Sequence, residues 1–384
     1  MITLHQKCWI LAASAMIYGG LAHADEIKVG FITSLSGPVS SIGIPCSKGM
    51  KAGESYITEA NGRKFHVYEL DDASDPSQAA RDARKLVDDD KVDVLIGSPG
   101  LPITMAVAAV AKESKTPMIS VAPVNTFGGA NPWVVTAVQP ASLMVGQVVD
   151  QMKKDGVKSV AYIGFSDSWG DVVYSNLKKD ATTSKIVITA DERYARTDSS
   201  VTGQALRVIA THPDAVLTGG SGTPGALPYE ALAQLGYSGK LYGTYALISP
   251  DFIRVAGSSA EGMLASTSPV VVADQLPVTY PTRDISMAYL REYKKVNGNT
   301  PYNAFSAYAF DAWLILTKAA KGVPADVKPG TLPFRLALRK SVFSIHELKG
   351  TGGVFNFEPG SPYGVDKRAC VIVRLHQGHW QYVR

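Results

Sequence analysis

The sequence predicts an α/β protein in two lobes of similar build. Three observations carry this: β-rich and helical stretches alternate from residue 27 onward, the alternation restarts near residue 159, and one strand-to-loop pattern occurs twice. The repeated pattern is Asp93-Val94-Leu95-Ile96-Gly97-Ser98-Pro99-Gly100, echoed by Asp214-Ala215-Val216-Leu217-Thr218-Gly219 with Ser221-Gly222-Thr223-Pro224-Gly225. In each case a buried strand runs into a Gly/Ser/Pro loop that opens a helix, and two alike units explain this more simply than one large sheet.

The elements follow in order. Ile27–Ile32 reads as a strand ending in the loop Thr33-Ser34-Leu35-Ser36-Gly37-Pro38, with a helix expected from about Lys48 to Ala60. Lys64–Leu70 alternates as a strand. Asp75 is placed to cap the next helix, with Pro76 at its first position and an apolar face of Ala80, Ala83, Leu86 and Val87. Val92–Gly97 is a buried strand, Thr104–Ser114 a small-residue helix and Pro117–Val121 a strand. In the second half, Ser159–Gly164, Ile186–Ala190, Asp214–Gly219 and Leu241–Gly243 read as strands, with a helix near Val172–Lys179. Helices are expected from Asp284 and over Ala304–Ala320. The tail alternates at Gly353–Phe357 and Ala369–Leu375, and Gln377-Gly378 is placed as a hairpin turn.

The first residues read as an export signal. Lys7 precedes an apolar run from Cys8 to Ala22, and Ala22-His23-Ala24 precedes the charged pair Asp25-Glu26. A run of about 15 apolar residues is too short to span a bilayer, and small residues ahead of the charges suit signal peptidase. The mature chain is expected to begin at Asp25 and to work in the periplasm.

With 384 residues, 46% of them hydrophobic and 19% charged, the chain is long enough for two cores. Its net charge of +4, about +3 without Lys7, is spread with no basic stripe, which argues against nucleic acid. Cys8 leaves with the signal. Cys46 and Cys370 are read as two free thiols, with a disulfide as the alternative.

In open parallel sheets, ligands sit where loops leave the C-terminal ends of the strands. Those loops are 34–43, 97–104, 120–126, 166–170, 219–225 and 244–249. They are rich in Ser, Thr, Gly and aromatics and almost free of His, Cys and Lys, a composition that favours holding a small molecule over transforming it. Enzyme motifs are thin. Gly220–Gly225 matches G-x-G-x-x-G, but the next strand ends in Tyr242-Gly243-Thr244-Tyr245 with no acid for a ribose. Ser221 lacks the final glycine of a nucleophile elbow. His376 and His379 read as exposed imidazoles, and Asp88-Asp89-Asp90 as a solvated helix end. No catalytic residue, metal or cofactor is expected.

Several segments carry a family resemblance. They are Ser36-Gly37-Pro38 with Gly43, Leu70-Asp71-Asp72-Ala73-Ser74-Asp75-Pro76, Asp167-Ser168-Trp169-Gly170, Ala260-Glu261-Gly262-Met263-Leu264 and Tyr308-Ala309-Phe310-Asp311-Ala312. In order and spacing these resemble type I periplasmic solute-binding proteins of ABC importers, most of all the branched-chain amino acid binders. The resemblance implies two Rossmann-like lobes linked by three hinge crossovers. Residues 25–141 with 271–350 would form one lobe, and 142–270 with 351–384 the other. It also implies a small-molecule ligand in the cleft, a membrane permease as partner and a monomeric chain.

Two departures from the amino-acid pattern bear on the ligand. Where the relatives offer a Thr hydroxyl, this chain has Val124, after a donorless Pro123; where they place a Glu for the ligand's ammonium, it has Tyr245. A buried ammonium without an anion is costly, so a plain carboxylate fits better than an amino acid. An aromatic acid is favoured, with a branched-chain keto or fatty acid next. Loop N–H groups and hydroxyls would hold the carboxylate, and Trp169, Tyr245 and Phe165 would pack its body. The candidate binding residues are Ser36, Gly37, Ser41, Ser98, Thr104, Ser120, Ala122, Pro123, Val124, Phe165, Trp169, Ser221, Gly222 and Tyr245. Branched-chain amino acid binding, a sensory module on the same fold and an exported hydrolase are the competing readings.

Overall fold

Apolar runs such as Ile27–Thr33 and Ser159–Phe165 are buried along nearly their whole length, as strands covered by helices on both faces must be. The computed structural model describes residues 26–124, 131–301 and 303–383. The proposed signal, 1–24, lies outside them.

Lobe one holds β1 (Ile27–Thr33), β2 (Glu59–Ala60), β3 (Arg63–Asp71), β4 (Val94–Gly97), β5 (Met118–Ser120) and β6 (Val134–Thr136), in the order β2-β3-β1-β4-β5-β6. All neighbours pair in parallel except the β2–β3 hairpin. The chain leaves β1 toward β3 on one side and returns to β4 on the other, so the loops after β1 and β4 flank the switch point. Its helices are α1 (Ser40–Tyr56), α2 (Pro76–Asp88) and α3 (Leu101–Ser114). The Asp75 side chain caps α2 by accepting from Gln78 N at 2.6 Å, and Pro76 opens the helix.

Lobe two holds α4 (Ala141–Lys154), β7 (Ser159–Phe165), α5 (Ser168–Ser184), β8 (Val187–Tyr194), α6 (Thr202–Ala210), β9 (Ala215–Gly219), α7 (Leu227–Gln234), β10 (Lys240–Gly243), α8 (Pro250–Ala256) and β11 (Leu264–Thr267). The chain then returns to lobe one as α9 (Arg283–Asn297), α10 (Phe305–Lys321), α11 (Leu332–Val342) and the small hairpin β12 (Leu348–Lys349) and β13 (Val354–Phe355). It ends in lobe two with β14 (Val371–His376) and β15 (His379–Val383), giving the order β15-β14-β11-β10-β9-β7-β8. Helix α10 lies so close to α1 that a Cβ on Gly49 would stand 1.8 Å from the Ser306 carbonyl oxygen. No described helix is long and apolar enough to cross a membrane.

Two expectations need correction. Helix α1 begins at Ser40, eight positions before Lys48, and runs through Pro45. Pro45 has no N–H to give the Ser41 carbonyl, and it interrupts the helical signal ahead of Lys48. The final return, expected at 350/351, lies beyond residue 363. Phe357 N donates to Ile345 O, Thr136 bridges Tyr363, and the Phe355 and Phe357 rings stack at 5.8 Å in the buried core. Those rings hold the segment on lobe one.

The three passages between lobes are tied together. Gln139 in the first donates through Nε2 to Gly352 O (3.0 Å), in the turn between β12 and β13, and to Ala369 O (2.7 Å) in the third, and its Oε1 accepts from Tyr308 Oη at 2.9 Å. Ser268 in the second donates to Thr351 O at 3.4 Å.

Candidate functional site

The loops at the C-terminal strand ends of the two sheets face one another, and lobe one supplies a mostly apolar wall. Ile42 on α1, Pro99 and Leu101 at the start of α3, Pro123 after β5 and Phe305 at the start of α10 border a small cavity of about 10 Å³, room for about one water. Most hydroxyls expected to hold a ligand are engaged within the lobe. Ser98 Oγ donates to Asp72 Oδ2 at 2.7 Å, and Ser34 Oγ to Asp72 Oδ1 at 2.6 Å. Burial raises the Asp72 pKa while these bonds pull it down. Thr104 Oγ1 donates to Gly97 O and meets Ser120 Oγ at 2.9 Å; Ser120 Oγ in turn donates to Ala122 O.

The first loop is also corrected. Ser36 is exposed and donates to Asp71 Oδ2 at 2.7 Å, and Gly37, at φ +77°, makes the turn against Ala73 O. Both tie the loop after β1 to the loop after β3 and do not border the cavity. The Val124 carbonyl accepts from Tyr363 Oη at 2.7 Å. The end of that loop, Asn125 and Thr126, lies outside the described residues.

Lobe two supplies rings and a cation. Asp167 caps α5 through Oδ1, which accepts from Trp169 N (2.9 Å) and Gly170 N (3.2 Å). The cap orients the Trp169 ring, whose Nε1 donates to Gly220 O at 3.2 Å. Trp169 meets Tyr245 edge-on, centroids 5.8 Å apart at 82°. Tyr245 also reaches lobe one, with its ring 5.7 Å from Phe305 and 5.5 Å from Tyr308. Burial pushes the Tyr245 hydroxyl far above its ordinary pKa, so it stays protonated.

Arg196, absent from the sequence expectation, borders the cavity two residues beyond β8. Its Nε donates to Asp167 Oδ2 and its Nη1 to Ser221 Oγ at 2.7 Å. The guanidinium carbon lies 4.2 Å above the Phe165 ring. Phe165 is fully buried, so it is the support of the guanidinium and not a wall of the cavity. Among the described residues, those bordering the cavity include this one cation and no carboxylate side chain.

The lobes touch directly beside the cavity. Ser41 Oγ accepts from Thr223 N at 3.2 Å, and Gly222, at φ +57°, packs so that a Cβ would stand 2.5 Å from Ser41 Oγ. Of the candidate residues, Pro123, Trp169, Ser221 and Tyr245 border the cavity, Ser41 and Gly222 form the contact beside it, Ser98, Thr104, Ser120, Ala122, Val124 and Phe165 are buried behind the walls, and Ser36 and Gly37 are exposed.

Elsewhere, His376 is paired with Glu261 at 2.7 Å on the surface. Among the described residues no group of three or more His, Cys, Asp or Glu is placed to hold a metal ion. Cys46 and Cys370 are free and buried.

Residues 26–359 match the family model described as periplasmic binding protein. An extracellular ligand-binding receptor from Rhodopseudomonas palustris HaA2 is 35% identical, superimposes with a TM-score of 0.90, and covers 94% of this chain and 100% of its own. The leucine-, isoleucine-, valine-, threonine- and alanine-binding protein of Pseudomonas aeruginosa is 23% identical over 343 residues, 86% of this chain and 87% of its own. A solute-binding protein of an ABC transporter from R. palustris, solved with benzoate, is similar in fold, with a TM-score of 0.77 at 21% identity over 93% of this chain and 95% of its own.

Proposed function

Since the chain belongs to the periplasmic binding protein family, we propose that it is the extracytoplasmic solute-binding component of an ABC uptake system. It captures a small carboxylate, an aromatic acid in first place, and passes it unchanged to a membrane permease. In this reading residues 1–24 are the export signal and the mature chain works in the periplasm as a monomer.

One observation carries the reading: a small cavity between the lobes whose aromatic wall is contributed from both sides, Trp169 and Tyr245 from one and Phe305 from the other. A ligand held there touches both lobes, and it stabilises the closed state by its differential affinity for that state. Ring surface withdrawn from water supplies about 25 cal/mol per Å². The relatives named above are described as ligand- or solute-binding proteins, and among the described residues of the cavity lining no nucleophile stands with a base.

The amino-acid reading is favoured by the curated relative from P. aeruginosa. It requires an anion beside the ammonium, which the described lining residues do not provide.

A thermal-shift screen over aromatic acids, keto acids and amino acids, followed by calorimetry, tests the proposal, because a ligand that binds only the native state raises apparent stability. Stabilisation by benzoates or related acids is expected, with compaction in small-angle scattering at saturation. Tight leucine binding with plain acids inert would overturn the carboxylate class. Scattering curves unchanged at saturation would remove the hinge.

A further inference from the structure

The donors left over around Arg196 say more about the guest than the shape of the cavity does. A guanidinium has five N–H groups. Arg196 uses Nε–H on Asp167 and one Nη1–H on Ser221 Oγ, and its other three N–H groups have no acceptor among the described residues. Ser221 Oγ accepts from Arg196 and keeps its own hydrogen, for which no acceptor is found among the described residues. Both residues border the cavity. The Phe165 ring beneath and the Asp167 carboxylate beside fix the guanidinium plane.

We propose that Arg196 and Ser221 form the carboxylate seat of this cavity, and that Arg196 selects a plain acid over both its neutral amide and its α-amino counterpart. This rests on the solute-binding reading above. A guanidinium fork matches the two oxygens of a carboxylate, which a primary ammonium cannot do. An amide offers only one acceptor oxygen and turns an N–H toward the cation. An α-amino acid brings an ammonium close to the guanidinium, and the nearest carboxylate is already occupied. Asp167 Oδ1 takes two backbone N–H groups of α5, and Oδ2 takes Arg196 itself. With no carboxylate among the described residues that border the cavity, that ammonium would be buried unpaired.

The test is calorimetry on the mature chain with two matched pairs of probes, benzoate with benzamide and phenylpyruvate with phenylalanine. The proteins are the wild type, Arg196→Gln, Arg196→Lys and Ser221→Ala. The wild type is expected to prefer each acid by about 10-fold or more, and R196Q to lose about 10- to 150-fold on the acids, the range for hydrogen bonds to a charged group. Benzamide affinity should change little, so that the acid-to-amide ratio collapses. R196K and S221A should fall between, and they carry the test if R196Q does not fold. Equal weakening of benzoate and benzamide in R196Q would make Arg196 a mere wall and overturn the seat while leaving acid binding, and the function proposed above, intact. Phenylalanine bound by the wild type as tightly as phenylpyruvate would overturn the selection. A wild type that takes leucine and neither acid would overturn the carboxylate reading along with the seat.

Discussion

The ring of Tyr245 on lobe two stands 5.5 Å from that of Tyr308 on lobe one, the two planes at 79°. Phe305 flanks the same ring at 5.7 Å and Trp169 at 5.8 Å, so Tyr245 is the centre of an aromatic contact spanning the gap. Each such pair contributes about 0.5–1.5 kcal/mol beyond its buried area. Tyr245→Ala is therefore expected to disfavour the closed state by about 1–3 kcal/mol, the two cross-lobe pairs taken together. The variant should bind its ligand about 5- to 150-fold more weakly and show a larger radius of gyration at equal ligand concentration. Calorimetry and small-angle scattering read both, and an unchanged affinity would mean the rings merely pack.

Gly222 gives a second handle on closure. Its backbone sits at φ +57°, and a Cβ there would stand 2.5 Å from Ser41 Oγ on the opposite lobe. Gly222→Ala is expected to weaken ligand binding by hindering closure, over and above about 1–3 kcal/mol of local backbone strain. Adding Ser41→Ala removes the facing oxygen and should restore part of the affinity but none of the strain. Ligand titrations of the single and double variants check this; no rescue would mean that backbone strain alone is responsible.

Asp311 sets a pH dependence near the hinge. It is fully buried on α10 and accepts Thr351 N at 2.7 Å through Oδ1 and Gly352 N at 2.6 Å through Oδ2. Burial pushes its pKa up to about 7 against the pull of these N–H groups. A carboxyl raised on folding is protonated more readily in the folded state than in the unfolded one. Its contribution is therefore fully present below the unfolded pKa of 3.8 and is lost as pH rises toward 7. Asp311→Asn should flatten the stability profile across that window. It should also cost about 1–3 kcal/mol, because the amide turns an N–H toward a backbone donor. Chemical denaturation between pH 4 and 7.5 reads both effects; an equally steep profile in the variant would assign the slope to other groups, Asp93 first, which burial lifts to about 6.

The two thiols make a simpler case. Cys46 Sγ donates to Phe305 O at 3.4 Å, both cysteines are free, and burial raises both thiol pKa values. A buried, protonated thiol is inert. Thiol titration of the unreduced mature protein is expected to find none reactive while folded and two per chain in denaturant. None in denaturant would mean a disulfide.

Much of the architecture was legible because buried parallel strands are short apolar runs bounded by turn residues. Val94–Gly97, Ala215–Gly219 and the Asp75-Pro76 helix start are examples. Helices α6, α7 and α8 were not, since each is only seven to nine residues long, too short for a helical period to stand out. The site was half legible. Trp169, Ser221, Tyr245 and Pro123 lie in loops that the strand-end rule singles out. Arg196 escaped because β8 was ended at Ala190. That strand continues through Asp191-Glu192-Arg193 at the edge of its sheet, where a half-exposed face tolerates charge and the apolar signal fades early. Extending the strand to Tyr194 would have put Arg196 in a strand-end loop. The misplaced hydroxyls failed for another reason. Sequence marks Ser98, Thr104 and Ser120 as donors but does not say that Asp72, Gly97 O and Ala122 O have already taken them.

By itself the sequence determined the layered α/β build, the doubling into two units and the set of loops that had to contain the site, because periodicity and turn chemistry are local properties of a chain. Only the tertiary structure decided which groups in those loops remain free. It spent the hydroxyls of lobe one inside that lobe, kept the chain through Tyr363 on lobe one, and brought Arg196 over Phe165 beside Ser221. Free donors are what is left after every long-range partner has been assigned, and those partners, such as Arg196 and Asp167, are distant in the chain and adjacent only once β7 and β8 have paired.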